Sequence, residues 1–215
     1  MNSTAFDRLG GICAILGGAI GFLYSVAFIV IARSNPDLGA FLSALFLMLG
    51  GLFSSVAIVA LYVRVRAVDP GLPMLALLFG LAAALSTALH GSYDLANVIN
   101  PPDVNVPNLT NLPSQVDPRG FMTFGVAGLS VIVFAVLMGR AAGWPKGLSG
   151  LGFVLGALLI VVYLGRLIVL TPTSLVIVIP AALTGFVVNP IWYIWLGVTL
   201  RHEPLAAQQL QQARG

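Results

Sequence analysis

The sequence predicts an all-α fold, a polytopic membrane bundle of six transmembrane helices with both termini cytoplasmic. Its composition, its six long apolar runs and the placement of its basic residues predict this. Of 215 residues, 59% are hydrophobic and 8% charged, against about 25% charged in a soluble domain. Mean hydropathy is +1.01. So few charges cannot cover the surface of a water-soluble fold of this size. With lipid as solvent every backbone polar group must be satisfied internally, which leaves helices or a closed barrel. The apolar runs are long and unbroken rather than short and alternating, so helices are expected.

The spans are read at about 10–32, 38–63, 72–99, 120–139, 148–170 and 174–200, in one transmembrane domain covering 1–215. Each reaches the ~20 residues that a bilayer crossing needs. The first is too long for the apolar core of a signal peptide, and Asp7 beside Arg8 makes a weakly basic start, so it reads as a retained span. Gly17 and Gly21 in span one, and Gly152 and Gly156 in span five, are spaced to let helix backbones approach. Internal packing is preferred for them, and oligomerisation stays open. The lone cysteine, Cys13, excludes an internal disulfide and reads as a small packing residue. Surplus length in spans two, three and six implies tilt, kinks or helix beyond the hydrocarbon. Span six carries Pro180 and Asn189-Pro190, and an interior proline bends a helix by removing a backbone bond. Asn189 either satisfies the freed groups or lines a cavity. Trp192, Tyr193 and Trp195 fall where a cytoplasmic aromatic belt is expected. The tail 203–215 reads as a short extension of the last helix.

Orientation follows from Lys and Arg. Arg8, Arg64, Arg66, Arg140, Lys146, Arg201 and Arg214 share one side, while Arg33 and Arg119 lie on the other with Asp37, Asp103 and Asp117. Seven against two marks the first side as cytoplasmic. The Pro- and Asn-rich loop 100–118 then faces outward, as a lid or as a plain connector. The net charge of +3 is spread singly or in pairs at the ends of apolar runs, so it points to membrane topology and away from nucleic acid.

Span three carries Thr87, His90, Asp94 and Asn97, whose spacing puts them on one helical face. Ionisable groups at membrane depth are costly and normally have a partner. Asp94 lies roughly 7–8 Å from the outer end of its span. Arg166 in span five sits at nearly the same height, with Tyr163 one turn earlier on the same side. Thr87, His90, Asp94, Asn97, Tyr163 and Arg166 are therefore the candidate ligand-binding residues of an outward-opening polar pocket. Arg166 offers a planar fork to an anionic or carbonyl-bearing ligand. His90 could exchange a proton near neutral pH, with Asp94 orienting it or pairing with Arg166. Two other readings stand beside this one. Asp94 and Arg166 could form a structural ion pair holding spans three and five together, or the helices do not touch and Arg166 snorkels to the interface.

Several chemistries are excluded. The sole lysine, Lys146, lies in a loop, so no span can form a retinal Schiff base. His90 and His202 lie near opposite membrane faces and cannot ligate one haem. No helical H-E-x-x-H and no P-loop occurs. A single His-x-x-x-Asp supplies too few ligands for a metal. No cofactor and no metal is expected.

The segments LHGSYDLAN at 89–97, YLGRL at 163–167 and NPIWYIWLG at 189–197 resemble an uncharacterised family of six-helix bacterial integral membrane proteins, a domain of unknown function. The resemblance covers nearly the whole chain. It implies a bacterial inner-membrane, multi-pass location and transfers no catalytic residue.

The function expected is binding of a small molecule or lipid in the outward pocket, as a transport or sensing component. The alternatives are a membrane enzyme using His90 and Asp94 in acid–base chemistry, and a structural or accessory subunit. Membrane lipid and a small-molecule ligand are the expected partners. A transporter needs a polar path to the cytoplasm, for which spans one, two and four offer only scattered Ser and Thr. An enzyme needs His90 exposed in a pocket.

Overall fold

The computed structural model describes residues 5–101, 116–169 and 174–202. Asp103, Arg214, most of the 100–118 loop and the tail 203–215 lie outside the described residues. Six helices are long and apolar enough to cross a membrane: α1 Ala5–Ser34, α2 Pro36–Val65, α3 Leu72–Ile99, α4 Pro118–Arg140, α5 Lys146–Ile168 and α6 Leu175–Arg201. No strand occurs among the described residues. The all-α fold is as expected, and α3 begins and ends where the sequence placed it.

Local chemistry sets the other boundaries. Only Asn35 separates α1 from α2. Its side chain accepts the Leu38 N–H at 3.1 Å, and Pro36 takes the first helical position, where its missing N–H costs nothing. Asp69 starts α3 in a related way, its Oδ1 accepting the Gly71 and Leu72 amides at 2.9 Å each. Those amides, Leu72 first, hold the Asp69 carboxyl below the usual range.

Successive helices run antiparallel and pack in chain order, and α6 packs back against α1, so the six form a closed ring. Small residues make the seams tight, because lipid supplies no hydrophobic drive and close approach gains dispersion instead. At the closing seam a Cβ on Gly11 would lie 2.7 Å from the Gly197 carbonyl oxygen, and one on Gly18 would lie 3.0 Å from the Pro190 carbonyl oxygen. Gly156 faces α4 in the same manner, a Cβ there lying 2.8 Å from the Gly128 carbonyl oxygen. Of the paired glycines, Gly21, Gly152 and Gly156 face neighbouring helices within the ring, a Cβ on Gly21 lying 2.6 Å from Asn189 Nδ2 and one on Gly152 3.1 Å from the Ala135 Cβ, whereas Gly17 makes no such close approach.

The ring is filled at the end where α1 begins and α6 finishes, here the terminus end. Leu61, Val65, Leu137, Met138, Leu148, Leu196 and Leu200 have essentially no exposure there. A polar clamp ties the same end together. Arg64 Nε lies 3.3 Å from Asp7 Oδ1, an ion pair rather than an aligned hydrogen bond, and both side chains are largely buried. Arg64 Nη2 also donates to the Leu200 carbonyl at 2.9 Å, satisfying an open acceptor at the end of α6. The sequence reading had used Arg64 and Asp7 only as surface charges.

The aromatic belt is only partly formed. Trp192 is 1% exposed and belongs to the core, Tyr193 is half-buried and faces the interior with Ser54, and only Trp195 reaches the outer surface. Helical register is the reason, since Trp192, Leu196 and Leu200 recur on the inward stripe of α6.

The far end is built differently. Three helices contain a π-helical stretch there: Val26–Ile31 in α1, Phe121–Val126 in α4 and Thr184–Val188 in α6. The stretch in α6 precedes Pro190, which has no N–H to continue the regular ladder. Such stretches widen a helix and change which residues face inward, and they recur at functional sites.

Leu at position 197 should wedge the closing seam. Gly197→Leu is expected to cost about 1–3 kcal/mol by overpacking. Gly150→Ala, where the added Cβ meets nothing within 4 Å, should stabilise by about 0.5–1 kcal/mol. Thermal unfolding of the purified protein reads both, and equal midpoints would contradict the seam. Arg64→Ala should cost about 1–3 kcal/mol, because it removes both the ion pair with buried Asp7 and the hydrogen bond to the Leu200 carbonyl. Arg140→Ala should leave the midpoint unchanged, because its 3.9 Å contact with Asp69 is solvent-exposed.

Candidate functional site

At the far end the chain enters α4 through a tight turn. The Gly120 N–H donates to the Asp117 carbonyl at 3.0 Å. Arg119 has φ +60° and Gly120 φ +78°. A left-handed non-glycine residue costs about 1–2 kcal/mol and persists only where its surroundings enforce it. Two features do so here. The Phe124 ring occupies the space a Cβ on Gly120 would need. The turn also aims two amides at the Asp117 side chain, Met122 N–H onto Oδ1 at 2.8 Å and Thr123 N–H onto Oδ2 at 3.0 Å.

Asp117 is fully buried. Burial opposes its ionisation, yet the His90 ring, the Thr123 hydroxyl and the Met122 and Thr123 amides hold the carboxyl down at about 2. The sequence reading had placed Asp117 among outer loop charges. Its signal was present, because an aspartate before a proline at the head of an apolar run is a helix-start pattern.

His90 stands between two carboxylates. Its Nε2 lies 3.3 Å from Asp94 Oδ2, one turn along α3, and its Nδ1 lies 3.7 Å from Asp117 Oδ2. The carboxylates flank opposite edges of the ring and do not converge. Among the described residues no group of three His, Cys, Asp or Glu side chains is arranged to hold a metal ion. Thr87 extends the polar face, its hydroxyl bonding the Ala83 carbonyl at 2.8 Å and lying 3.3 Å from the Thr123 hydroxyl. The polar stripe of α3 therefore faces α4.

The expected pairing of Asp94 with Arg166 does not form. Asp94 reaches its own helix neighbour His90, while the ring order inserts α4 between α3 and α5. Arg166 instead lies over the Phe124 ring, 5.5 Å from its centroid, and makes no ion pair with a carboxylate among the described residues. Tyr163 packs on α4, its ring 5.5 Å from that of Phe121. Asn97 is half-exposed near the far end of α3.

Inside the ring lies a cavity of about 560 Å³ to which all six helices contribute. Of the six candidate residues only Thr87 and Arg166 line it; His90, Asp94, Asn97 and Tyr163 do not. The sequence reading missed Arg33, Tyr24 and Thr123, which do. Tyr24 lies within the electrostatic field of both Arg166 and Asp94. Each π-helical stretch contributes to the wall, through Phe28 and Ile29, Thr123 and Phe124, and Thr184 and Gly185. The exposed residues of the lining are Phe28, Arg33 and Leu175, so the mouth is at the far end. The floor is made by Ile58, Phe134, Leu155 and Trp192, all buried. Two guanidinium groups and no carboxylate line the cavity among the described residues.

No family model, curated protein or solved structure matches this chain.

Asp117→Ala should cost about 3 kcal/mol by stranding buried partners, and amide exchange at Met122 and Thr123 should accelerate. Asp94→Ala, at a half-exposed side chain, should cost much less. Because folding lowers the Asp117 pKa from ~3.9 to about 2, its contribution is complete above about pH 4 and is lost as pH falls toward about 2. The same two amides should then lose protection only below about pH 4, and loss at neutral pH would contradict the cap.

Proposed function

We propose that the protein is a multi-pass protein of the bacterial inner membrane that binds a small molecule or lipid in its axial cavity, as a transport or sensing component. The observation that carries this reading is a 560 Å³ space with two arginines and no carboxylate in its lining. That volume lies within the ~300–1,000 Å³ of small-ligand sites. Arg166 lacks a carboxylate partner among the described residues, and its guanidinium in the cavity wall favours an anionic or carbonyl-bearing ligand. The basic-residue bias supports cytoplasmic termini and hence an outward mouth. The resemblance at 89–97, 163–167 and 189–197 supports the bacterial setting.

The closed floor favours binding from one side over ion conduction. Acid–base catalysis by His90 and Asp94 has less support, because His90 is 9% exposed and does not line the cavity. The His90 cluster suits an assembly contact between α3 and α4.

The test is native mass spectrometry and lipid extraction of the purified protein, wild type beside Arg166→Ala and His90→Gln. Wild type and His90→Gln should carry the same anionic or carbonyl-bearing compound, and Arg166→Ala should retain at least tenfold less. Equal retention by wild type and Arg166→Ala would remove the reading.

A further inference from the structure

Resting on that reading, we infer that the ligand is an amphiphile dissolved in the bilayer, and that it enters the cavity sideways through a slot between α1 and α6. The exposed residues of the cavity lining all belong to these two helices, Phe28 and Arg33 on α1 and Leu175 on α6. The closing seam does not run the full height of the ring. It ends where the Ser25 hydroxyl fills the space that a Cβ on Gly185 would need, with the Phe22 and Phe186 rings meeting edge-on at 5.9 Å beside it. Beyond that level Val26–Ile31 packs on α2 and Leu175–Leu183 packs on α5, and the two stretches scarcely touch each other. Every other pair of neighbouring helices stays packed toward the far end. Local sequence explains the parting. Glycines hold the seam below it, whereas bulky Phe28, Leu175 and Val178 edge the slot and keep the backbones apart. Each helix also carries a π-helical stretch at this level, and Pro180 interrupts the backbone ladder of α6 just above.

A gap between adjacent helices of a spanning ring faces lipid. From Ser25 to Arg33 is about 12 Å of helix, and from Gly185 to Leu175 about 15 Å, close to half of the ~30 Å hydrocarbon core. The slot is therefore about one leaflet deep. Arg33 stands at its head, where a long stem lets a guanidinium reach the interface. The edges below it are apolar, made by Phe28, Val178 and Ala181. An amphiphile standing in that leaflet presents the same order, an anionic or carbonyl-bearing head above hydrocarbon. Behind the slot the wall mixes apolar side chains with Arg166, Asn189 and Thr184, whose buried hydroxyl has no hydrogen-bond partner among the described residues. The wall accepts polar groups at depth, so the selection of a membrane-borne ligand lies in the portal and not in the floor.

The experiment uses the full chain in phosphatidylcholine nanodiscs, with Cys13→Ala as the background. A nitroxide on Val178→Cys reads the slot without any ligand. Oxygen, which concentrates in hydrocarbon, should relax it as it relaxes a label on Leu129→Cys, an exposed position on the outer face of α4. A water-soluble nickel chelate should not reach it. Relaxation by the chelate instead would overturn the slot and leave anion binding in the cavity standing. The probes are photoactivatable palmitate, which partitions into the bilayer, and photoactivatable butyrate, which stays in water, each flashed at increasing times after mixing. Palmitate should label cavity residues, and butyrate at the same total concentration should not. Cross-linking Phe28→Cys to Val178→Cys with a reducible bifunctional reagent should slow palmitate labelling about tenfold, and reduction should restore it. Ala181→Trp, which crowds the slot, should slow labelling without a cross-link. Equal labelling by butyrate, or a palmitate rate untouched by both blocks, would overturn lateral entry. Palmitate labelling unchanged in Arg166→Ala, or none at all in the wild type, would count against the underlying reading itself, with the nitroxide still deciding the slot.

Discussion

The contact between the first and last helices is the constraint on which the architecture depends. Five sequential antiparallel contacts make an open row of helices, and the α6–α1 seam turns that row into a ring. The seam needs glycine on both sides, because the Gly11 and Gly197 backbones approach closely enough to exclude a β-carbon. Closure creates an axis that six helices must either fill or leave open. At the terminus end leucines from α2, α4, α5 and α6 fill it. At the far end they do not, and the cavity is what remains.

Two polar clusters hold the ends in these different states. Arg64 reaches both Asp7 of α1 and the last carbonyls of α6, drawing three helices together over the packed core. At the far end Asp117, His90 and Asp94 join only α3 to the start of α4. The three π-helical stretches lie in this looser half and turn aromatic and hydroxyl side chains toward the axis. The ring is thus bound across three helices at its packed end and only locally where the cavity opens.

Some of the candidate site was legible in the sequence. The shared face of Thr87, His90 and Asp94 follows from helical periodicity, and Arg166 stood out as a charge inside an apolar span. Their partners were not legible. Asp94 and Arg166 match in height, but height along separate helices does not specify which helices are neighbours. Asp117 lies in a different segment from His90 and meets it only because the turn through Arg119 and Gly120 folds beneath α3. Trp192 and Trp195 are equally aromatic, and only the rotation of α6 in the ring sends one to the core and the other to the surface.

The sequence by itself determined the number and type of elements, because a chain so poor in charge must bury its backbone in lipid and satisfy it within each helix. It also determined most boundaries, through prolines, capping side chains and the ends of apolar runs. Which faces meet, where the axis stays open and which arginines line it were decided only in the tertiary structure. Lipid rewards every apolar face equally, so the choice among helix neighbours rests on glycine seams and a few polar contacts between residues distant in the chain.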